Sequence, residues 1–456
     1  MSDPCYWQQD LGAHPQQRRP PLGADAIVDV AIVGAGYSGL WTAYYLKRID
    51  PALRVAILEA EHVGFGASGR NGGWCLGLLA GLDLDAGDDR ERAVALRLQR
   101  QLFDAVNEVG RVCAREDIDA DYRRGGSLRL ATAPAFETEL RSEVEYWRRH
   151  GFGEADLRWL DGDTLRERVR VGGARGALFF EHCAALHPAK LVQGLARAIE
   201  AQGTTIFENS RVKGIEAGRL RTAHGSLRAE CRVIATEGFT PSLAGHARSL
   251  IPIHSMMVAT EPLSESTWDE IGLTQRETFG DARRIVTYGQ RTADGRVAFG
   301  GRGRYYYGSK ARTHFDPDDA GFNHVEATLF ALLPALRDVA ITHRWGGPLG
   351  VPRDFRPRVI FDRERGLAQL GGYVGEGVAA SNLAGRTLAD AILGEESERS
   401  ASALLSPGFP RWEPEPLRWL AANAVRGLGD ALDRRELAGR TPPKLAQRLY
   451  ARFVPR

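Results

Sequence analysis

Lysine is nearly missing from this chain. Only five of its 60 basic residues are lysines (Lys47, Lys190, Lys213, Lys310 and Lys444), and the rest are arginines. The arginine fork suits bidentate anion contacts, but so even a spread reads as a bias of composition rather than as a recognition patch. An excess of one charge is missing too. Sixty basic against 58 acidic residues leave a net charge of +2, which argues against a nucleic-acid or membrane-surface partner. Cysteines are few and unpatterned: Cys5, Cys75, Cys113, Cys183 and Cys231 contain no CxxC pair, and no Cys/His cluster has metal-ligand spacing. No metal site is expected, and reduced thiols in a cytoplasmic setting are. Long apolar runs are lacking. Residues 30–46 are free of charge but hold three glycines, too short and too punctuated for a transmembrane segment. The start, Met1-Ser2-Asp3-Pro4, has no basic region followed by an apolar run, so no secretory signal is expected.

What is present is the composition of a globular protein, 43% hydrophobic and 26% charged over 456 residues, long enough for two or three domains. Glycine is in excess, 52 residues, and it clusters. Clustered glycines permit close backbone approach, which suggests main chain wrapped around a ligand. Residues 1–27 are polar and Pro-rich and read as an arm over the surface. Residues 28–33 read as a buried parallel strand, 39–47 as a helix and 54–58 as a second strand, a βαβ unit. Helical spacing runs over 88–115 and 134–150, and Pro188 opens a helix over 187–202. Strands are expected at 126–131, 205–208, 211–215, 233–235, 251–260 and 296–301. A second glycine-rich turn and helix follow at 371–394, and amphipathic helix ends the chain.

Gly34-Ala35-Gly36-Tyr37-Ser38-Gly39 directly follows the first strand, and Glu59 closes the second strand 20 residues later. In that context Gly34 makes a tight turn, Gly36 admits a pyrophosphate, and Gly39 lets helix pack on strand. Tyr37 and Ser38 complete this turn as cofactor contacts, ahead of the helix whose N-terminus faces the phosphates. Glu59 is placed to accept ribose hydroxyls and to reject a 2′-phosphate. Residues 64–73 hold five glycines in ten. This loop is expected to run back along the cofactor with Ala67, Ser68, Asn71 and Gly72, and with Arg70 near phosphate or substrate.

The segments DVAIVGAGYSGLWTAYYLK, LEAEHVGFGASGRNGG and GGYVGEGVAASNLAGR together resemble the FAD-dependent oxidoreductases of the D-amino-acid-oxidase superfamily. The likeness is strongest to its γ-glutamylputrescine oxidoreductase and aminophosphonate oxidoreductase branch. It implies an α/β plus antiparallel β fold: a discontinuous Rossmann-like FAD-binding domain with an inserted, mostly antiparallel substrate domain. The expected boundaries are 1–27 for the arm, 28–115, 161–245 and 346–395 for the FAD-binding domain, 116–160 and 246–345 for the substrate domain, and 396–456 for a helical extension. The resemblance adds Val212 at the adenine, Ala235, Thr236 and Gly238 near the pyrophosphate, and Gly372, Gly375, Gly377 and Val378 at the flavin. Relatives often have His at Glu376, which is read here as an outward-facing acid of a helix first turn. Sarcosine-oxidase-type members carry Lys near Ala379 and a late Cys for a covalent flavin. This chain has neither, so a non-covalent FAD is expected.

The implied reaction is oxidation of a C–N bond in a small primary or secondary amine. Hydride passes to flavin N5, and water hydrolyses the imine. The acceptor of the electrons is oxygen or a carrier. His254, Tyr288, Arg302 and Trp345 are the candidate catalytic residues, with Met256, Gln290 and Arg291 as further pocket candidates. An NAD(P)H-dependent monooxygenase and a non-catalytic flavoprotein are the alternatives. The C-terminal helix is read as packing, with an oligomer contact left open.

Overall fold

The computed structural model describes residues 5–11 and 18–454. Two eight-stranded sheets form its frame. The first runs Arg358–Asp362, Leu367–Gly371, Ser226–Ile234, Ala26–Val33, Val55–Leu58 and Thr205–Phe207 in spatial order, with two short strands, Arg219–Arg221 and Gly214–Glu216, on its flank. The strand Ala26–Val33 lies between two parallel neighbours, so Val30, Ala31 and Ile32 are buried whichever face they take, and the run is uniformly apolar rather than alternating. Helices Tyr37–Ile49 and Gly377–Leu393 pack on one another beside this sheet. Gly385 permits it: a Cβ there would come within 2.8 Å of the Trp41 Cβ.

The second sheet runs Ile341–Val351, Ile251–Thr260, Val297–Tyr305, Thr287–Arg291, Thr278–Asp281, Ser127–Leu130, Gly176–Phe180 and Leu157–Asp161. All its pairings are antiparallel except Thr278–Asp281 with Ser127–Leu130. The fold is thus α/β plus antiparallel β, with chain segments alternating between the sheets. The expected boundary at residue 160 is corrected. Gly176–Phe180 belongs to the second sheet, because all five of its residues are buried between two antiparallel partners. The boundary at 345 also shifts, since the edge strand continues to Val351.

The amino-terminal segment corrects another expectation. Cys5, Tyr6, Trp7 and Leu11 are buried, and Trp7 packs edge-on against Trp345 and His187. Arg19 is 5% exposed and pairs with Glu200 and Glu208 at 2.6 and 3.2 Å. Its polar look misled because these polar groups are satisfied internally rather than by water. Pro15 lies outside the described residues.

The helix Leu417–Leu437, followed by the shorter Lys444–Phe453, is fastened through a buried cluster. Asp433 accepts the amides of Arg284 and Ile285 at 3.0 and 2.9 Å, and the Arg284 guanidinium donates to Asp433 and Glu436 at 3.1 and 2.9 Å. All three side chains are under a tenth exposed. Arg284→Ala strands two buried carboxylates and is expected to lower the unfolding free energy by about 3–5 kcal/mol. Arg54→Ala, in the open pair with Asp29, is expected to leave the unfolding midpoint nearly unchanged. Urea unfolding of both variants checks the contrast.

Candidate functional site

A single cleft runs from the first glycine turn, past the loop 64–73, to the face of the second sheet. Its first wall follows from backbone geometry. Gly34 has φ +105°, and a Cβ there would lie 2.7 Å from the Ala235 carbonyl oxygen. Gly39 would meet the Gly34 carbonyl at 2.1 Å and Gly36 the Ser68 hydroxyl at 2.9 Å. The helix Tyr37–Ile49 starts at Gly36, which has no side chain to cap it. The Tyr37 amide donates to Ser68 Oγ at 2.9 Å, and the turn as a whole leaves a helix N-terminus facing the cleft. The Glu59 carboxylate accepts the amides of Ala35 and Glu61 at 2.8 and 3.0 Å, and burial raises its pKa.

The loop is held from behind. Asn71 donates to the Ala67 and Ser68 carbonyls at 3.1 and 3.2 Å and accepts the Gly73 amide at 2.8 Å. Trp345 Nε1 donates to the Arg70 carbonyl at 2.8 Å, and Gln290 Nε2 donates to the Gly72 carbonyl at 2.6 Å. Gly72 is required by contact: a Cβ would stand 2.5 Å from the Tyr288 ring.

At the far end the cleft is lined by Trp74, Leu76, Ser255, Met257, Val286, Tyr288, Arg302 and Glu376. Ser255 Oγ donates to the Gly301 carbonyl at 3.0 Å, so the Tyr288 hydroxyl, 2.5 Å away, donates to Ser255. Burial raises the Tyr288 pKa, which keeps it neutral. Arg302 Nη2 donates to the Val374 carbonyl at 2.8 Å.

The structure brings Gly34, Gly36, Tyr37, Ser38, Glu59, Ala67, Ser68, Arg70, Asn71, Gly72, Val212, Ala235, Thr236, Gly238, Gly375, Gly377, Val378, Tyr288 and Arg302 to this cleft. Four candidates stand elsewhere. His254 is fully buried, with Nδ1 against the Arg304 carbonyl at 3.2 Å and Nε2 accepting the Arg312 amide at 2.8 Å. Burial lowers its pKa to about 4, so it is a neutral structural histidine. Trp345 acts behind the loop and does not face the cleft. Gly39 sits inside the turn. Gly372 points its α-carbon at Pro352 and Phe409, while its amide donates to Glu237. Of the further candidates, Met256 packs in the core of the second sheet, and Arg291 stacks on Trp268 at 4.2 Å. Strand alternation explains His254 and Met256. Ser255 and Met257 point to the cleft, so their neighbours cannot.

Two carboxylates of the cleft differ from the sequence reading, Glu376 in its orientation and Glu237 in not being singled out by it. Glu376 lines the cleft instead of facing outward and makes no capping bond to its own helix. Glu237, in a left-handed conformation with φ +42°, accepts the amides of Gly372, Tyr373 and Gly350 at 2.8, 3.3 and 3.3 Å. The only hint in the sequence was position, an acid inside each of two glycine-bearing turns.

A family model described as FAD dependent oxidoreductase matches residues 29–391. The chain belongs to this family. It is 31% identical over 402 residues to γ-glutamylputrescine oxidoreductase of Escherichia coli K12, covering 85% of this chain and 89% of that one. It is 32% identical over 403 residues to the probable oxidoreductase OrdL of Rhizobium meliloti, covering 86% and 89%. Among solved structures it is similar to glycine oxidase from Bacillus cereus, with a TM-score of 0.67 at 19% identity over 83% of this chain and 98% of that one. The protein is an FAD-dependent oxidoreductase, and the residues present fit the cofactor: a side-chain-free helix start for phosphates, a buried acid for hydroxyls and a long channel beyond. Among the described residues no helix is long and apolar enough to cross a membrane, and no cluster has the makings of a metal site.

Gly36→Val drives a side chain against Ser68 and into the cleft, so the flavin-to-protein absorbance ratio of the purified variant is expected to fall at least about tenfold. Glu237 supplies a pH test. Burial outweighs its three amide donors and pushes its pKa up to about 7. The folded state therefore holds this proton more tightly than the unfolded chain. The group's contribution to stability is full below the ordinary carboxylate range and is lost as the pH rises through about 7. Thermal midpoints between about pH 5 and about pH 8 should fall more steeply with pH in the wild type than in Glu237→Gln.

Proposed function

We propose that this enzyme oxidises a C–N bond in a small primary or secondary amine, giving an imine that water hydrolyses to a carbonyl compound and an amine or ammonia. The observation that carries this reading is the continuity of the cleft. The dinucleotide cradle opens without a break into an enclosure under the second sheet, where a cation (Arg302), an acid (Glu376) and a neutral phenol (Tyr288) share one wall. The name of the Escherichia coli relative points to an amine of the same kind.

In this reading the Gly34–Gly36 turn and the start of the helix Tyr37–Ile49 hold the pyrophosphate. Glu59 holds the ribose, and Val212 lies at the adenine. The loop from Ala67 to Gly72, with Gly375, Gly377 and Val378, brackets the flavin, which is held without a covalent bond. FAD supplies the two-electron acceptor. The chain supplies binding, orientation and dryness. Trp74, Leu76, Met257 and Val286 exclude water from the reacting carbon. Tyr288, fixed by Ser255, gives a rigid ring face against which the substrate rests. Arg302 attracts an anionic tail on the substrate. Such a reaction depends on a neutral amine with one C–H aimed at the acceptor. It asks for no nucleophile, and the cleft offers none with an activating base.

Anaerobic titration of the yellow protein with γ-glutamylputrescine, simple diamines, aminophosphonates and amino acids, followed at about 450 nm, tests this. One class of amine is expected to bleach the flavin and leave a carbonyl product. Bleaching by NADPH alone, with every amine inert, overturns it in favour of a monooxygenase.

A further inference from the structure

Resting on the amine-oxidising reading above, we propose that Glu376 is the group that receives the substrate's amine. It pairs with the ammonium on entry, accepts one proton from it, and holds that proton while the neutral amine is oxidised.

The argument is one of unmet partners. Four carboxylates line the cleft: Glu59, Glu61, Glu237 and Glu376. Glu59 takes two amides, Glu61 pairs with Arg211 at 2.6 Å, and Glu237 takes three amides. Glu376 alone among these keeps a buried oxygen, Oε2, with no hydrogen-bond partner. A buried acceptor left open is rare unless something else fills it. The charged groups facing it are Arg302, Arg129 and, as a neutral donor, the Ala80 amide. Neither arginine comes within ion-pair distance. Arg302 is committed to the Val374 carbonyl, and Arg129 lies against Glu143 at 2.6 Å. The two guanidiniums favour the ionised carboxylate, while burial, the larger effect, raises its proton affinity. A half-buried acid whose buried Oε2 is left open is matched to an N–H donor that brings its own proton.

The proton inventory closes. An alkyl ammonium has no lone pair and resists losing hydride. Transfer of one proton from nitrogen to Oε2 converts ammonium and carboxylate into neutral amine and carboxylic acid. The freed lone pair then assists departure of the C–H hydride, and the two electrons go to the FAD of the established activity.

The test uses holoenzyme, the amine found to bleach it, and an inert analogue of that amine whose two hydrogens on the carbon beside nitrogen are replaced by methyl groups. Binding of the analogue is read from the flavin spectrum without turnover. At about pH 7, Glu376→Gln is expected to bind the analogue at least about tenfold more weakly than wild type and to be reduced at least about a hundredfold more slowly. Both defects should shrink as the pH approaches the amine's own pKa, because neutral amine then enters unaided. Glu376→Asp, with flavin retained, should keep measurable reduction near neutral pH. Unchanged analogue affinity and an unchanged pH profile in Glu376→Gln overturn the proposal and leave the amine reading intact. So does a uniform loss in both variants that high pH does not rescue, or an analogue that wild type holds no better at neutral than at alkaline pH. If no amine bleaches the wild type, both readings fall.

Discussion

The closeness of two main chains at the end of the first sheet sets what the rest of the molecule can do. Gly34 turns beside the Ala235 carbonyl with no room for a side chain, because the strands Ala26–Val33 and Ser226–Ile234 pair in parallel and end together. That contact aims the helix Tyr37–Ile49 at the cleft and brings Glu59, on the next parallel strand's end, beside it. Parallel register carries the constraint across the sheet. Once the first turn is tight, the ends of the neighbouring strands share one edge, and a long ligand can lie across them.

The seam between the two sheets is the loop 64–73, and it is built from contacts rather than from regular structure. Cβ atoms at Gly69 and Gly73 would stand 2.2 Å from the carbonyls of Gly64 and Leu186. Gln8 and Trp345 bind its carbonyls from the amino-terminal segment and from the second sheet. The buried segment around Trp7 therefore belongs to the site's foundation. It packs on the same Trp345 that fixes Arg70, so a change in the amino-terminal segment reaches the loop both through this aromatic contact and directly through Gln8.

The legible parts of the sequence were those in which one local pattern had one physical meaning. An apolar β-branched run before GAGYSG could only be a buried strand feeding a helix, and the glycine clusters marked close approach. The illegible parts needed long-range information. The run IPIHSMMVAT is apolar on both faces, since both are covered, and so carries no mark of which parity faces the cleft; Ser255 and Met257 line it and His254 does not. Arg19 looked solvated because nothing local reveals Glu200 and Glu208. Gly176–Phe180 falls inside the span expected for the FAD-binding domain, and only pairing assigns it to the second sheet. Glu376 looked like an ordinary first-turn acid, which is what propensity favours. Only the absence of a capping bond and the path of the cleft distinguish it.

The four acids of the cleft show how the same side chain takes different duties from its surroundings. Desolvation acts on Glu59, Glu237 and Glu376 alike, raising the proton affinity of each, but the donors around them differ. Glu237 is spent on backbone amides and serves as a clasp between the turn at 371–373 and the strand end at Gly350. Glu59 faces two amides and still borders open space, the arrangement of an acceptor for hydroxyl groups that bring no charge. Glu376 has neither a set of amides nor a paired cation, and its Oε2 has no hydrogen-bond partner within the chain. An acid in that condition discriminates by charge rather than by shape. In the proposed role it favours an incoming cation over a neutral isostere of the same size, at the end of the cleft that Arg302 also lines. That end of the enclosure thus carries both signs, which under the proposed function suits a substrate whose amine and anionic tail are separated by a short span.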